Sequence, residues 1–284
     1  MRTLAARRPT AAWLLLPALA VLLLAFAAPI ALLLSRSLFD PAFTLRHYAR
    51  LLAVPEYLQV LGFSLELAAF TTALALAIGY PYAYALTRVS SGWRTVLIAI
   101  VLLPFWTNIL VRCYSWMLIL QTKGLLNTAL VGWLGLIDRP LTLMYNFTGV
   151  TVGMVHYLLP PAVLILFGTM RTIDRRLVQA AEGLGASPLR ALWRVFVPLS
   201  LPGVRAAGVL IFILSLGFFV TPALLGGRRD VTIAMLIDAQ IVELTNWGFG
   251  AALAAVLLVV TVAGLSLYYG LIGTRPHAGA ASGW

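Results

Sequence analysis

The chain has 284 residues, of which 62% are hydrophobic and only 10% are charged. Soluble domains carry about 25% charged residues, so this composition excludes an ordinary water-soluble protein. The formal net charge of +11 would suit nucleic-acid binding, but the basic residues cluster between apolar runs, which is typical of membrane topology instead. Cys113 is the only cysteine, which excludes an internal disulfide framework and a multi-cysteine metal site.

Six apolar runs are long enough to cross a bilayer as helices, since about 20 helical residues span the roughly 30 Å hydrocarbon layer. The predicted spans are Ala12–Leu34, Val60–Leu86, Thr95–Leu118, Tyr145–Met170, Val204–Leu225 and Gly248–Gly273. Because lipid offers the backbone no hydrogen-bond partners, these runs predict an all-α membrane protein with six transmembrane helices. The interrupted segment Gln121–Leu143 is interpreted as an external loop with a short interfacial helix.

The basic residues predict the orientation. With six spans both termini lie on one side, which would hold twelve basic and two acidic residues, against eight basic and six acidic on the other. Basic residues are retained in the cytoplasm, so both termini are expected there. The chain then divides into a cytoplasmic tail (1–11), a transmembrane domain (12–273) and a second cytoplasmic tail (274–284). The first run is too long for the core of a signal peptide, so a retained helix is expected.

The one long cytoplasmic connection, residues 171–203, lies between the fourth and fifth spans. Asp174 is a predicted N-cap for a helix that ends near Gly185, a residue that accepts a left-handed backbone. Ser187 as N-cap and Pro188 at the first position predict a second helix. The residues that define this helical hairpin are Gln179, Ala180, Ala181, Glu182, Gly185, Ser187, Pro188 and Pro198.

The second helix of the hairpin is expected to end at Pro198 and Pro202, before the fifth span. Its apolar residues share one predicted face: Leu189, Leu192, Trp193 and Phe196. An exposed apolar stripe of this kind either docks into a groove of a partner or folds back on its own bundle.

The stretch Gln179-AAEGLGASPLRALWRVFVP-Leu199 resembles the signature loop of ATP-binding-cassette importer permeases, which reads Glu-Ala-Ala, three residues, Gly, nine residues, Ile, one residue, Leu-Pro. The family's alanines, glycine and proline are matched at the right spacing by Ala180, Ala181, Gly185 and Pro198. Gln179 stands where the family usually has Glu, and Glu182, one turn away, is a candidate to replace that charge. The resemblance implies that the first helix docks into a cleft of an ATPase subunit and transmits its closure to the membrane helices.

The rest of the chain resembles the spermidine/putrescine branch of these permeases. The stretches that carry this resemblance are Leu103-PFWTNILVRCYSW-Met117, Gly124-LL-Asn127 and Phe218-FVTPALLG-Gly227. It implies a bacterial inner-membrane permease that works with ABC-type ATPase subunits, a second homologous permease subunit and a periplasmic or lipid-anchored substrate-binding protein. ATP and Mg would bind the ATPase, so no cofactor is expected on this chain, and its only other contacts would be with membrane lipid.

No catalytic or metal-binding constellation is evident. Lys123, the only lysine, does not fit a GxxxxGK[ST] phosphate-binding loop, so ATP hydrolysis must come from another chain. The main alternative is a secondary transporter driven by an ion gradient, which predicts inverted repeats and more intramembrane ionisable residues. A second alternative is a membrane-embedded enzyme, which needs titratable pairs within the spans. A third is a scaffold without transport.

A candidate substrate path is suggested by Glu66, the only acid within a predicted span, because intramembrane charge is costly and often functional. Glu66 would attract a cationic substrate, or it is an interfacial carboxylate that pairs with a basic neighbour. Aromatic faces also bind ammonium groups, although aromatics are common in bundle cores and interfacial belts. The remaining candidates for the path are Trp106, Tyr114, Trp116, Phe218 and Phe219. His156, in the fourth span, is a proton relay or, more simply, a hydrogen-bonded packing residue.

Overall fold

A computed structural model describes residues 10–40 and 42–272 of the chain, apart from the side chains of residues 10–15 and 267–272. The described residues form helices and no β-strand. In chain order the α-helices are α1 (Thr10–Leu22), α2 (Ala28–Arg36), α3 (Arg46–Ala53), α4 (Pro55–Arg88), α5 (Ser91–Leu102), α6 (Ile109–Leu120), α7 (Leu125–Asn127), α8 (Phe147–Arg171), α9 (Arg175–Gly183), α10 (Pro188–Ala191), α11 (Val197–Leu216), α12 (Val220–Leu225), α13 (Ile233–Asp238) and α14 (Trp247–Ile272). Turns of π-helix occupy Leu23–Ala27, Thr128–Trp133, Leu192–Phe196 and Ala239–Glu243, and a 3₁₀ turn occupies Leu103–Trp106.

The all-α prediction with six spans is confirmed. Helical segments long and apolar enough to cross a membrane are Leu16–Arg36, Pro55–Arg88, Phe147–Arg171, Pro188–Leu216 and Trp247–Ser266. A sixth span results when the bent pair Ser91–Trp106 and Ile109–Trp133 is counted as one crossing. The predicted tails, residues 1–11 and 274–284, lie almost wholly outside the described residues.

One compact unit combines the described residues up to Leu58 with those from Leu236 onward. Within it α14 packs against α2 and α3. The ring of Phe249 is fully buried, and the guanidinium carbon of Arg50 lies 4.7 Å from its centroid. This cation–π contact lets a charged side chain cover an apolar surface, so it ties the short α3 to the last span.

The second unit runs from Gln59 to Met235 and contains the hairpin. Near the hairpin, its buried core combines side chains of α4, α8, α9, α10, the π-helical turn after α10, and α11: Ala83, Leu86, Val163, Leu166, Phe167, Met170, Val178, Ala191, Phe196 and Ala207. Further along the spans a second core cluster joins α4, α6, α8 and α12: Leu67, Cys113, Leu120, Val150, Met154 and Leu225. Cys113 is therefore a buried core residue.

The loop between the third and fourth spans is closed by one buried amide. The Asn127 side chain donates to the carbonyl oxygen of Leu141 at 2.9 Å and accepts from the Leu141 N–H at 2.8 Å. Its short helix α7 continues into a π-helical turn. The short helix predicted within Gln121–Leu143 is therefore present as α7.

The predicted third span, Thr95–Leu118, is wrong as a single helix. The two arms meet at an angle of 101°. Pro104 has no backbone N–H to continue the helical ladder, and α6 begins anew with Asn108 as N-cap, whose side chain accepts from the Leu110 N–H at 2.8 Å.

A buried arginine holds this break. The Arg112 side chain is only 6% exposed and donates to the carbonyl oxygens of Pro104 and Thr107, the latter at 2.7 Å. Its guanidinium carbon lies 4.8 Å from the centroid of Tyr157. Since Tyr157 is ten residues, or about 15 Å, into α8, the charge lies near the middle of that span. The guanidinium thus caps the carbonyls that the bend leaves free.

The predicted fifth span, Val204–Leu225, is displaced. Helix continues from Pro188 through Leu216, with Pro202 inside it, and α12 is separate. Pro198 and Pro202 therefore do not end the second hairpin helix. Membrane helices tolerate proline because neighbouring helices, side chains and local π-helical adjustments re-satisfy the freed carbonyls. The π-helical turn Leu192–Phe196, just before Pro198, is such an adjustment.

Replacing Arg112 tests whether its hydrogen bonds stabilise the bend. We expect Arg112→Met to lower the free energy of unfolding by about 2 kcal/mol, because bonds to a charged donor are worth about 1.5–3 kcal/mol. Arg112→Lys should recover part of this loss, because a single nitrogen, Nη2, donates to both carbonyls and an ammonium also carries several N–H donors, whereas the bond from Nε to the Thr107 hydroxyl is lost. Denaturant titration in detergent, followed by tryptophan fluorescence, measures both variants.

Arg139→Met is the matched control, because Arg139 is exposed in the loop before α8. Its unfolding should match the wild type. A stable Arg112→Met protein would mean that the free-energy cost of burying the charge equals the stabilisation from its hydrogen bonds. The bend would then have another cause.

Candidate functional site

The hairpin, residues 171–203, has the turn chemistry that the sequence predicts. Asp174 caps α9 by accepting from the Arg176 N–H at 2.9 Å. At the other end of α9, Gly185 has φ +90°, the left-handed region that favours glycine. Ser187 caps α10, accepting from the Arg190 N–H at 3.4 Å, with Pro188 directly after it.

Helix α9 has an inner and an outer face. Val178 is buried in the core beside Phe167 and Phe196. The outer face carries Leu177, Ala180 and, just past the helix end, Leu184, which is 91% exposed. Apolar side chains rarely stay this exposed on adjacent turns unless they meet a partner. The outer face of α9 is thus a small unpartnered apolar surface within the described residues.

Gln179 and Glu182 lie along the inner edge of α9, three residues apart. Both line a cavity of about 200 Å³ together with four arginines: Arg88, Arg94, Arg171 and Arg175. Ala181 is half-buried against the core. The signature positions therefore divide between two surfaces, with Ala180 turned outward and the polar pair turned toward arginines of the same chain.

The predicted apolar stripe on the second hairpin helix is wrong as one face. Phe196 is 5% exposed and belongs to the core, whereas Leu189 and Trp193 are exposed. The π-helical turn Leu192–Phe196 changes the angular spacing within the stripe, so the regular helical period used for the prediction does not hold there.

Two of the candidate path aromatics have internal partners. Phe218 packs on Tyr157 with centroids 5.1 Å apart, and Arg112 covers the same Tyr157 ring. Trp116 donates its indole N–H to Nδ1 of His156 at 3.1 Å. His156 is thus a hydrogen-bonded packing residue. The Tyr157 ring face under Arg112 already carries a cation and is closed to an ammonium group.

The other candidates lie on exposed surfaces. Trp106 is 86% exposed, and Tyr114, Phe219 and Glu66 are also exposed. Among the described residues Glu66 has no ion pair, so the alternative that it pairs with a basic neighbour of this chain finds no support there. The structure does not gather the six path candidates into one cluster.

Arg112 and the arginine-lined cavity were missed by the sequence prediction. Arg112 lies inside the predicted third span. A charge within an apolar run is itself the signal that would have identified it. The cavity joins residues up to 109 positions apart in sequence, Thr87 and Phe196, and no local pattern marks it. No group of three or more potential metal ligands occurs among the described residues.

Comparison with known proteins agrees with this architecture. Residues 10–272 match the family described as "Binding-protein-dependent transport system inner membrane component". The chain is 38% identical over 227 residues to the spermidine/putrescine transport system permease protein PotB of Salmonella typhimurium, covering 80% of this chain and 78% of that protein. Its identity to PotB of Haemophilus influenzae is 34% over 226 residues, again 80% and 78% of the two chains.

A solved bacterial alginate ABC transporter, crystallised with its alginate-bound periplasmic protein, contains a chain of the same fold. The TM-score is 0.77 at 18% identity, over 92% of this chain and 93% of that one. At that identity the likeness establishes the fold alone, whereas the family match spans nearly all of the described residues. This chain belongs to the family of inner membrane components of binding-protein-dependent transport systems, as a non-catalytic permease.

Proposed function

We propose that this chain is a permease subunit of an ATP-driven polyamine importer, with spermidine or putrescine as substrate. The observation that carries the proposal is its 38% identity to the PotB permease over 80% of its length. The proposed location is the bacterial inner membrane, with both termini and the hairpin in the cytoplasm, because basic residues concentrate on that side.

The proposed partner of the outer face of α9 is an ABC-type ATPase subunit. Ala180 and the exposed Leu177 and Leu184 form a narrow apolar ridge with a small residue at its centre, which suits insertion into a groove. ATP and Mg would bind that subunit. A second homologous permease subunit would complete the pathway, and a periplasmic or lipid-anchored binding protein would deliver the substrate.

The proposed mechanism is alternating access driven through the hairpin. The segment Pro188–Leu216 is one continuous helix of 29 residues, about 44 Å long, and α11 packs along α8. A displacement of α9 by the closing ATPase dimer would therefore move the fifth span directly. Each ligand shifts the equilibrium between the two access states only by its difference in affinity for them.

Glu66 is our proposed first contact for the cationic substrate. Its carboxylate is exposed on α4, eleven residues or about 16 Å from Pro55. Three of its exposed neighbours on that face are small, Gly62, Ala69 and Ala73, and a fourth is the ring of Phe70, so a ligand can approach the carboxylate from the side of the small residues. We propose the same contact with the substrate for the exposed rings of Trp106, Tyr114 and Phe219.

The function is tested with the complex reconstituted in proteoliposomes with its binding protein. We expect spermidine-loaded binding protein to stimulate ATP hydrolysis and uptake several-fold, and a dicarboxylate in place of spermidine to give no stimulation. Uptake that continues without ATP and stops when the ion gradient is collapsed would instead establish the secondary-transporter alternative.

Gly185→Val tests the hairpin turn. A Cβ at this position would meet no atom within 4 Å, so its only penalty is the positive φ. That strain costs about 1–2 kcal/mol, and we expect roughly ten-fold lower uptake at equal membrane insertion.

Gly185→Asn is the matched control, because asparagine tolerates the left-handed region, and it should retain most uptake. Equal uptake by the valine variant and the wild type would show that α9 does not transmit the closure of the ATPase.

Glu66→Gln tests the substrate path. If the carboxylate attracts the polyamine, its loss should raise the KM for uptake about five-fold with little change in the maximal rate. Glu56→Gln, in the first turn of the same helix, controls for external negative charge. An identical change in both variants would assign Glu66 to general surface charge only.

A further inference from the structure

A basic cavity lies where α4, α5, α8 and α9 come together, and its volume is about 200 Å³. Arg88 and Arg171 are the last residues of α4 and α8, Arg94 lies in the first turn of α5, and Arg175 begins α9. Glu182 is the only carboxylate in the cavity lining. Four arginines from four helices thus line one small space, and the guanidinium of Arg88 donates to the hydroxyl of Tyr84 at 2.7 Å.

The hydrogen bonds of these arginines do not neutralise them. Arg94 donates to the carbonyl oxygens of Leu86 and Val89, at 3.0 and 3.1 Å, and Arg175 donates to that of Thr87. These acceptors are neutral backbone groups at the end of α4. Within the described part of the chain, none of the four arginines lies within 4.0 Å of a carboxylate oxygen.

The charge in the cavity is therefore only partly balanced. Each helix C-terminus carries about half a negative charge and each N-terminus about half a positive one, so the ends of α4 and α8 cancel the starts of α5 and α9, and Glu182 offsets one of the four arginine charges. Like charges held together in a partly buried space repel one another. A bound anion would remove this repulsion.

The position of the cavity selects the anion. Arg88 and Arg171 end two helices long and apolar enough to cross the membrane, which in the proposed orientation would bring the arginines near the lipid head groups of the cytoplasmic leaflet. The inner wall is apolar and consists of Phe167, Met170 and Phe196. Basic pockets between membrane helices on this side are suited to anionic lipid head groups.

We infer that this cavity binds a phosphate group, carried by the head group of an anionic phospholipid. Guanidinium forks match phosphate oxygens in bidentate geometry, and Arg171, at the rim, would make the first contact. A bound head group would tie the ends of α4 and α8 to the start of α9, and so link lipid to the hairpin.

Lipid titration of the chain tests the inference. The chain is purified from membranes with whatever subunits accompany it, stripped of lipid in detergent, and titrated with phosphatidylglycerol under native mass spectrometry. We expect the double variant Arg88→Gln, Arg171→Gln to bind about 25-fold more weakly, since each arginine near an anionic lipid contributes about five-fold. These two side chains are exposed, so their loss should leave the fold intact.

The double variant Arg190→Gln, Arg194→Gln is the matched control, because these exposed arginines belong to the same hairpin but line a different hollow. It should bind phosphatidylglycerol within two-fold of the wild type. Equal weakening in both double variants would reduce the effect to general attraction by basic residues and overturn the site.

Two further results would also overturn the lipid assignment. Displacement of the lipid by inorganic phosphate would show that the cavity binds the free ion instead of a lipid head group. Absence of lipid binding, with a cross-link from Arg171→Cys to an acidic segment of a copurifying ATPase, would make the cavity part of a protein interface. Neither result depends on which substrate the importer carries.

Discussion

Backbone carbonyls freed inside or at the edge of the membrane need donors, because lipid supplies none. At two places in this chain, the bend between α5 and α6 and the end of α4, arginine provides those donors. Arg112 donates to the carbonyls of Pro104 and Thr107 at the bend between α5 and α6. Arg94 and Arg175 do the same for the end of α4. The sharp changes of direction in the second unit depend on these charge-assisted bonds.

The capping arginines also shape the candidate functional surfaces on the two faces of α9. Capping the end of α4 with arginines concentrates positive charge beside α9, and that charge makes the cavity lined by Gln179 and Glu182. The opposite face of α9 remains apolar and exposed. The hairpin therefore presents one face to charged groups and the other to apolar ones. Its continuity with α11 connects both to the fifth span.

Features set by local sequence were predictable. Asp174 and Ser187 were assigned as caps, and Gly185 as a left-handed residue, because each depends on neighbours within a few positions. The number of spans followed from apolar length alone. The interruption at Pro104 and the passage of helix through Pro198 were not predictable in this way. The same residue type ends one helix and is accommodated in another, according to donors and π-helical turns that the local pattern does not reveal.

Long-range contacts explain the rest of what the sequence missed. The hydrogen bond between Trp116 and His156, and the packing of Phe218 on Tyr157, join separate spans. These contacts make packing residues of two candidate ligand groups, Trp116 and Phe218, and of His156, the candidate proton relay. Glu66, in contrast, is exposed and therefore stays available for a partner or substrate.

The contact between Arg112 and Tyr157 also has a consequence for biogenesis. Tyr157 lies about 45 residues after Arg112, a distance that synthesis at about 5–20 residues per second covers in roughly 2–9 seconds. During that interval the nascent third segment holds a charge worth about 2.5–3.5 kcal/mol against insertion. The partners already synthesised are the carbonyls of Pro104 and Thr107 and the Thr107 hydroxyl. Because this segment leaves the ribosome before Tyr157, it must form the bend in order to insert before the Tyr157 ring covers Arg112.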